Sequence, residues 1–99
     1  MRRGQVWRVL ILGRVERIVL VVGHDTVSES RNDVLCVQVQ QAAGKESLLA
    51  VHVSSPVEGF ARAVTVAPIP KTSFVEQLGQ LDAMVMEQVD TALRATLDL

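Results

Sequence analysis

The residues of this 99-residue chain best able to do chemistry are its arginines. Arg17 opens the stretch Arg17-Ile18-Val19-Leu20-Val21-Val22-Gly23-His24-Asp25. Five apolar residues, mostly β-branched, separate that charge from a Gly-His-Asp exit, a pattern that predicts a short strand buried on both faces. A strand mouth can hold a planar guanidinium fork toward the oxygens of a phosphate or carboxylate, which a lysine's point charge does not match bidentately. Arg2, Arg3 and Arg14 converge with Arg17 if a hairpin brings its loop beside the N-terminus. That set is read either as a polyanion contact, nucleic acid above all, or as solvated surface.

Other candidates are weaker. His24-Asp25 is either an acid–base pair or a turn in which the Asp bonds nearby backbone N–H groups. His52 alternates with Val51 and Val53, so it is a half-exposed sheet residue or an RNA contact. The two histidines lie far apart, with no Cys or carboxylate at ligand spacing, and no metal site is expected. Neither a Gly-rich phosphate loop nor a nucleophile elbow is present, and no cofactor is implied. Cys36, inside Val34–Val39, reads as a small buried hydrophobe and fits a reducing compartment. Ser54-Ser55 has no base near it in sequence and reads as loop. Met84 and Met86 read as helix packing.

Positioning these side chains falls to a small aliphatic core. Apolar residues are 48% of the chain, yet Trp7, Phe60 and Phe74 are the only aromatics, so Val and Leu must fill a single domain spanning 1–99. Net charge is −1, and its distribution says more than its sum. Residues 1–17 carry five arginines against Glu16, whereas residues 76–99 carry Glu76, Asp82, Glu87, Asp90 and Asp98 against Arg94. Such ends can pair within a dimer or offer one face to a polyanion. No run approaches the roughly 20 apolar residues of a membrane span, and no signal-peptide pattern is seen. A cytoplasmic protein off the membrane is expected.

The predicted strands are Gln5–Leu12 and Arg17–Gly23, joined as a hairpin, then Val34–Gln40, Ser47–Val53 and Ala63–Ala67. A loop with room for one helical turn covers Asp25–Asp33, a turn with Gly44 covers Gln41–Glu46, and a further loop covers Ser54–Arg62. Pro68 and Pro70 are expected to stop the fifth strand at a strand end or an edge. Phe74–Leu81 is expected as a short strand broken at Gly79. From Asp82 to Leu97 the period becomes helical, with Val85, Met86, Val89, Ala92, Leu93 and Leu97 on one face. Asp82 suits the N-cap, and Asp90, Thr91 and Arg94 face water. Short strands followed by one helix predict a mainly β (α+β) fold: a small, strongly bent sheet or barrel with a C-terminal helix packed on it.

Three motifs occur in a telling order. Arg2-Arg3-Gly4-Gln5-Val6-Trp7 resembles the opening of the MazF/PemK toxin family, Arg-Arg-Gly-x-Val/Leu-Trp. Arg17–Asp25 is similar to its second-strand motif, Arg-Pro-Val-Val-Val-Val-Ser-Asn-Asp. Leu81-Asp82 through Val89-Asp90-x-Ala92-Leu93 and Leu97-x-Leu99 is similar to its terminal helix. The resemblance covers about half of the chain. It implies an SH3-like barrel of the CcdB/PemK type, a homodimer, and a MazE-like antitoxin as partner. It implies sequence-directed, metal-independent cleavage of single-stranded RNA: the ribose 2′-OH attacks the adjacent phosphorus, leaving a 2′,3′-cyclic phosphate and a 5′-OH. Arg17 takes the position of the arginine that stabilises the phosphorane. Arg14 and Glu16 fall on the loop bordering the RNA groove, and His24, His52 and Arg3 join them as candidate RNA contacts. The family's third-strand Val-Pro-Ile-Thr-Ser is matched by Val37-Gln38-Val39-Gln40-Gln41, so Gln40 stands where a catalytic Thr is usual. Ile18 replaces a Pro, Gly23-His24 replace Ser-Asn, and Ala67-Pro68-Ile69-Pro70 replaces a polar Asp-Gln-Ile-Arg segment. Two functions follow: an endoribonuclease toxin using Arg17 and Gln40, or the same fold as a binding module for an antitoxin or a gyrase-type target, without RNA cleavage.

Overall fold

A computed structural model describes residues 1–41 and 49–97. Strands β1 (Gln5–Ile11) and β2 (Val15–Val21) form the expected antiparallel hairpin. At its tip Leu12 and Gly13 take φ of 54° and 68°, and Arg14 N–H donates to Ile11 O at 3.0 Å. Paired positive φ values belong to turns whose twist suits a hairpin; Gly13 adopts one without steric cost, while Leu12 does not. The chain continues through a single helical turn α1 (Asp25–Glu29), β3 (Asp33–Gln40), β4 (Ala50–Val53), β5 (Gly59–Pro70), a 3₁₀ turn Lys71–Ser73, β6 (Phe74–Gln80) and helix α2 (Ala83–Leu97). Residues 42–46 of the expected turn, the strand start at Ser47 and the closing Leu99 lie outside the described residues.

The expected barrel is not formed. The strands make one open antiparallel sheet in the order β4-β5-β3-β2-β1-β6, so β4 and β6 are its edges. Although β5 and β6 follow each other, the 3₁₀ turn carries the chain across without pairing them. The second half of β5 contains Pro68 and Pro70, which have no N–H to offer a closing strand. β6 is interrupted by register shifts on β1, between Val6/Trp7 and Arg8/Val9. A mainly β sheet with a C-terminal helix is what remains of the expectation.

The prolines do not end β5 where expected: Pro68 pairs with Leu35 and Pro70 with Asp33. They are tolerated because β4 covers only Gly59–Arg62, leaving the proline half of β5 without a strand on its other side. The break expected at Gly79 is an irregularity inside a continuous strand, with Gly79 at φ 155°.

Burial divides between the two faces. Val6, Leu20, Val37, Val39, Val51 and Ala63 pack with Met86, Val89 and Ala92 of α2. On the opposite face Val9, Val19, Val21, Val34 and Cys36 form a second cluster, capped by Trp7, Ile69 and Phe74. The Trp7 and Phe74 rings meet edge-on at 5.5 Å. Central β2 is thus buried on both faces over Val19–Val21, as its uninterrupted apolar run predicts. Asp82 caps α2 by accepting from Met84 N–H at 2.7 Å. Met84 and Leu97 are exposed rather than packed, and Asp90 is taken by Arg3.

Candidate nucleic-acid interface

Strand alternation sorts the candidates. β2 pairs with β3 only over Val19↔Gln38, Leu20↔Val37 and Val21↔Cys36. Beyond Val19 the two strands part, and a cleft of about 510 Å³ opens in the fork. Arg17 and Gln40, one from each strand, line it together with Gln38 and Glu16. The structure therefore brings the two expected catalytic residues into one cleft. The Arg17 guanidinium is exposed and donates to the backbone carbonyl of Glu16 at 3.0 Å. Anchoring through one N–H leaves the rest of its fork available to an anion.

Glu16 would spoil an anion site if it stood alone. Arg8, also at the cleft, lies 2.5 Å from Glu16 and 3.3 Å from Glu76. The Glu16 hydrogen bond is the main cause holding the Arg8 pKa above its ordinary value, with Glu76 adding to it. Arg8 thus offsets part of the negative charge that Glu16 and Glu76 bring to this side of the cleft.

The sheet extends the site laterally. Gln40 pairs with Phe60 of β5, and Phe60 pairs with His52 of β4. The His52 and Phe60 rings sit 5.5 Å apart and tilted 54°, and Glu58 lies 3.8 Å from His52 Nε2. One row inward, Gln38 pairs with Arg62. Gln40, Phe60, His52, Gln38 and Arg62 therefore share the face opposite α2. A ring pair beside an arginine and amides suits single-stranded nucleic acid, whose bases stack on rings while its phosphates meet cations. Phe60, Arg62, Arg8 and Gln38 were missed in the sequence; the two-residue spacing of Gln38 and Gln40 was the one readable signal.

Other candidates sit elsewhere. Arg14 is exposed at the hairpin tip, beyond the cleft-lining residues. Arg3 holds the N-terminus to the helix: its guanidinium pairs with Asp90 and reaches Val22 O at 3.4 Å. Asp25 accepts from Arg3 N–H at 2.7 Å and lies 3.7 Å from Arg2 Nε. Gly4 N–H bonds Val21 O, so Arg2 and Arg3 stand at the far end of the hairpin from Arg14 and Arg17. The expected convergence of the four arginines does not occur. His24 lines a separate hollow of about 450 Å³ with Val27, Leu35 and Pro68. Among the described residues no three His, Cys, Asp or Glu side chains are placed to hold a metal ion. No helix among them is long and apolar enough to cross a membrane.

The model of one family, PemK-like and MazF-like toxins of type II toxin–antitoxin systems, matches residues 2–97. The chain belongs to that family. A mycobacterial endoribonuclease solved with its cognate antitoxin is similar at 26% identity and a TM-score of 0.87, with 100% of this chain and 96% of the other covered. A MazE–MazF complex from Deinococcus radiodurans aligns at 20% identity and TM-score 0.86, covering 100% and 96%. The Mycobacterium tuberculosis toxin MazF-mt6 aligns at 17% identity and TM-score 0.81, covering 96% and 97%. No curated protein matches. The matched stretch, residues 2–97, includes both Arg17 and Gln40.

Proposed function

We propose that this toxin is an endoribonuclease whose cleft between β2 and β3 binds a phosphodiester of single-stranded RNA. The observation that carries the reading is Arg17, exposed at the mouth of a strand buried on both faces and sharing its cleft with Gln40. In cleavage the 2′-oxygen bonds to phosphorus and loses its proton, while the P–O5′ bond breaks and O5′ gains one. Negative charge grows on the non-bridging oxygens, where fixed donors in a partly dry cleft stabilise it. Arg17 is the main such donor, and the Gln40 amide donates a second hydrogen bond in place of a hydroxyl. His52 with Phe60, and Arg62, contact the flanking strand. A cognate antitoxin is the expected partner, as in the mycobacterial and Deinococcus complexes, and the toxin acts as a homodimer.

The test incubates the purified protein and Arg17→Ala with a long single-stranded RNA in EDTA and maps the ends. Discrete 5′-OH fragments are expected from the wild type. Arg17→Ala should cut about a hundredfold more slowly or less, the cost of losing one transition-state donor, with an unchanged circular-dichroism spectrum. Intact RNA with folded wild-type protein would favour the second reading, a binding module that does not cleave. Gln40 motivates that reading, because an amide does not supply the family's hydroxyl.

A further inference from the structure

Behind Arg17 lies a second cavity, of about 260 Å³, that the phosphate chemistry does not use. Its floor is Val19 and Cys36, both nearly inaccessible to water, and Ile11 and Ile69 form apolar walls. Gln38 and Thr65 supply its polar edge. Both Arg17 and Gln38 line this cavity as well as the larger cleft, so the two hollows adjoin.

The polar edge is built with unusual care. Between Cys36↔Ala67 and Gln38↔Arg62, β5 carries extra residues against one residue of β3. Such a bulge re-aims side chains and leaves a ladder partner missing. Thr65 fills the gap: its Oγ1 accepts from Gln38 N–H at 2.8 Å and donates to Arg62 O at 2.6 Å. The Gln38 backbone is pinned, while its side-chain amide is engaged by no described residue.

We infer that this cavity is a nucleobase pocket and that Gln38 reads the base. The inference rests on the RNA reading of the adjoining cleft. A base is flat and apolar on its faces, with donor and acceptor side by side on its edge; enzymes hold an unstacked base between apolar side chains and read that edge by hydrogen bonds. Gln38 offers one donor and one acceptor in a fixed pair. With a phosphate on Arg17, the attached nucleotide reaches the neighbouring cavity. Cys36 closes the floor as a neutral thiol, burial pushing its pKa up to about 12.

The experiment has two arms. Adenosine, guanosine, cytidine and uridine 3′-monophosphates are titrated into full-length, isotope-labelled protein, and the Gln38 side-chain amide and the Thr65, Val19 and Ile69 signals are followed. One base should bind about tenfold more tightly than the others, and Gln38→Ala should remove the preference without removing phosphate binding. In the second arm, cleavage sites of wild type, Gln38→Ala, Thr65→Val and Thr65→Ser are mapped on one long RNA. Gln38→Ala should slow cutting at the preferred sequence about ten- to a hundredfold. Thr65→Val should blur the base preference at that position, and Thr65→Ser should restore it. Equal binding of all four nucleotides, or unchanged sites in Gln38→Ala, overturns the pocket while leaving the ribonuclease intact. Selective nucleotide binding without any RNA cleavage removes the ribonuclease and keeps the pocket.

Discussion

Glu16 shows how much one neighbour decides at the residue scale. Its carboxylate lines the cleft that should accept phosphate, and Arg8, shared with Glu76, offsets part of its repulsion. Arg8→Ala should therefore weaken binding of an uncleavable 2′-deoxy strand at low salt about fivefold, the effect of one like-charge contact in water. Fluorescence anisotropy reads this, and the unfolding midpoint should hardly move because the pair is exposed. Unchanged affinity would mean that the strand avoids this side of the cleft. Cys36 gives a second prediction. Burial raises its pKa from 9.0 to about 12, so the folded state keeps a proton that the unfolded state loses. The stability this confers is complete below pH 9 and falls as pH rises from 9 toward 12. Urea melts across that range should show the decline, and Cys36→Ala should flatten it. Arg17 and Cys36 were legible in the sequence because each depends on its own strand. Phe60 and Arg62 were not, since only cross-strand pairing places them beside Gln40 and Gln38.

At the scale of elements the close approach of β5 to β3 positions the cleft. A Cβ built on Gly59 would stand 2.4 Å from Gln40 O and 3.2 Å from Val39 Cγ1. Neither the backbone carbonyl nor the buried Val39 can yield without moving β3. Gly59→Ala should destabilise the protein by about 1–3 kcal/mol, typical of overpacking, and should displace the Gln40 amide signal. A melt unchanged within error would mean that β5 slides freely on β3. Asp82→Ala, which removes the cap of α2, should cost about 1 kcal/mol without affecting the cleft. The helix and its cap were readable because a 3.6-residue period and a capping Asp are local signals. The length of β5 was not, because its prolines are permitted only by the shortness of β4, a fact of sheet order.

The whole molecule explains why the charge split misleads when read as sequence. The basic N-terminus and acidic helix meet inside one chain, through Arg3 and Asp90, so Arg2 and Arg3 are held at the opposite end of β1 from Arg17. Arg17 pairs with Val9, and the six residue steps from Arg3 to Val9 at about 3.4 Å each span roughly 20 Å. Closure of the sheet was likewise not legible, because it turns on whether the last strands pair across the 3₁₀ turn. An open face served by Arg17 in the cleft and Arg62 beside it should release about two counterions per bound strand. The logarithm of affinity for single-stranded nucleic acid should then fall against the logarithm of salt concentration with a slope near −1.4, at about 0.7 per phosphate. Arg17→Ala should bring that slope to about −0.7, while Arg2→Ala should leave it unchanged. Anisotropy titrations of an uncleavable strand across a range of salt concentrations measure both. The reverse result would put the strand along the N-terminus and helix, and would detach nucleic-acid binding from the cleft. The expected result makes arrangement, rather than the net charge of −1, the source of affinity: two arginines on the open face outweigh an acidic helix that the sheet holds on its other side.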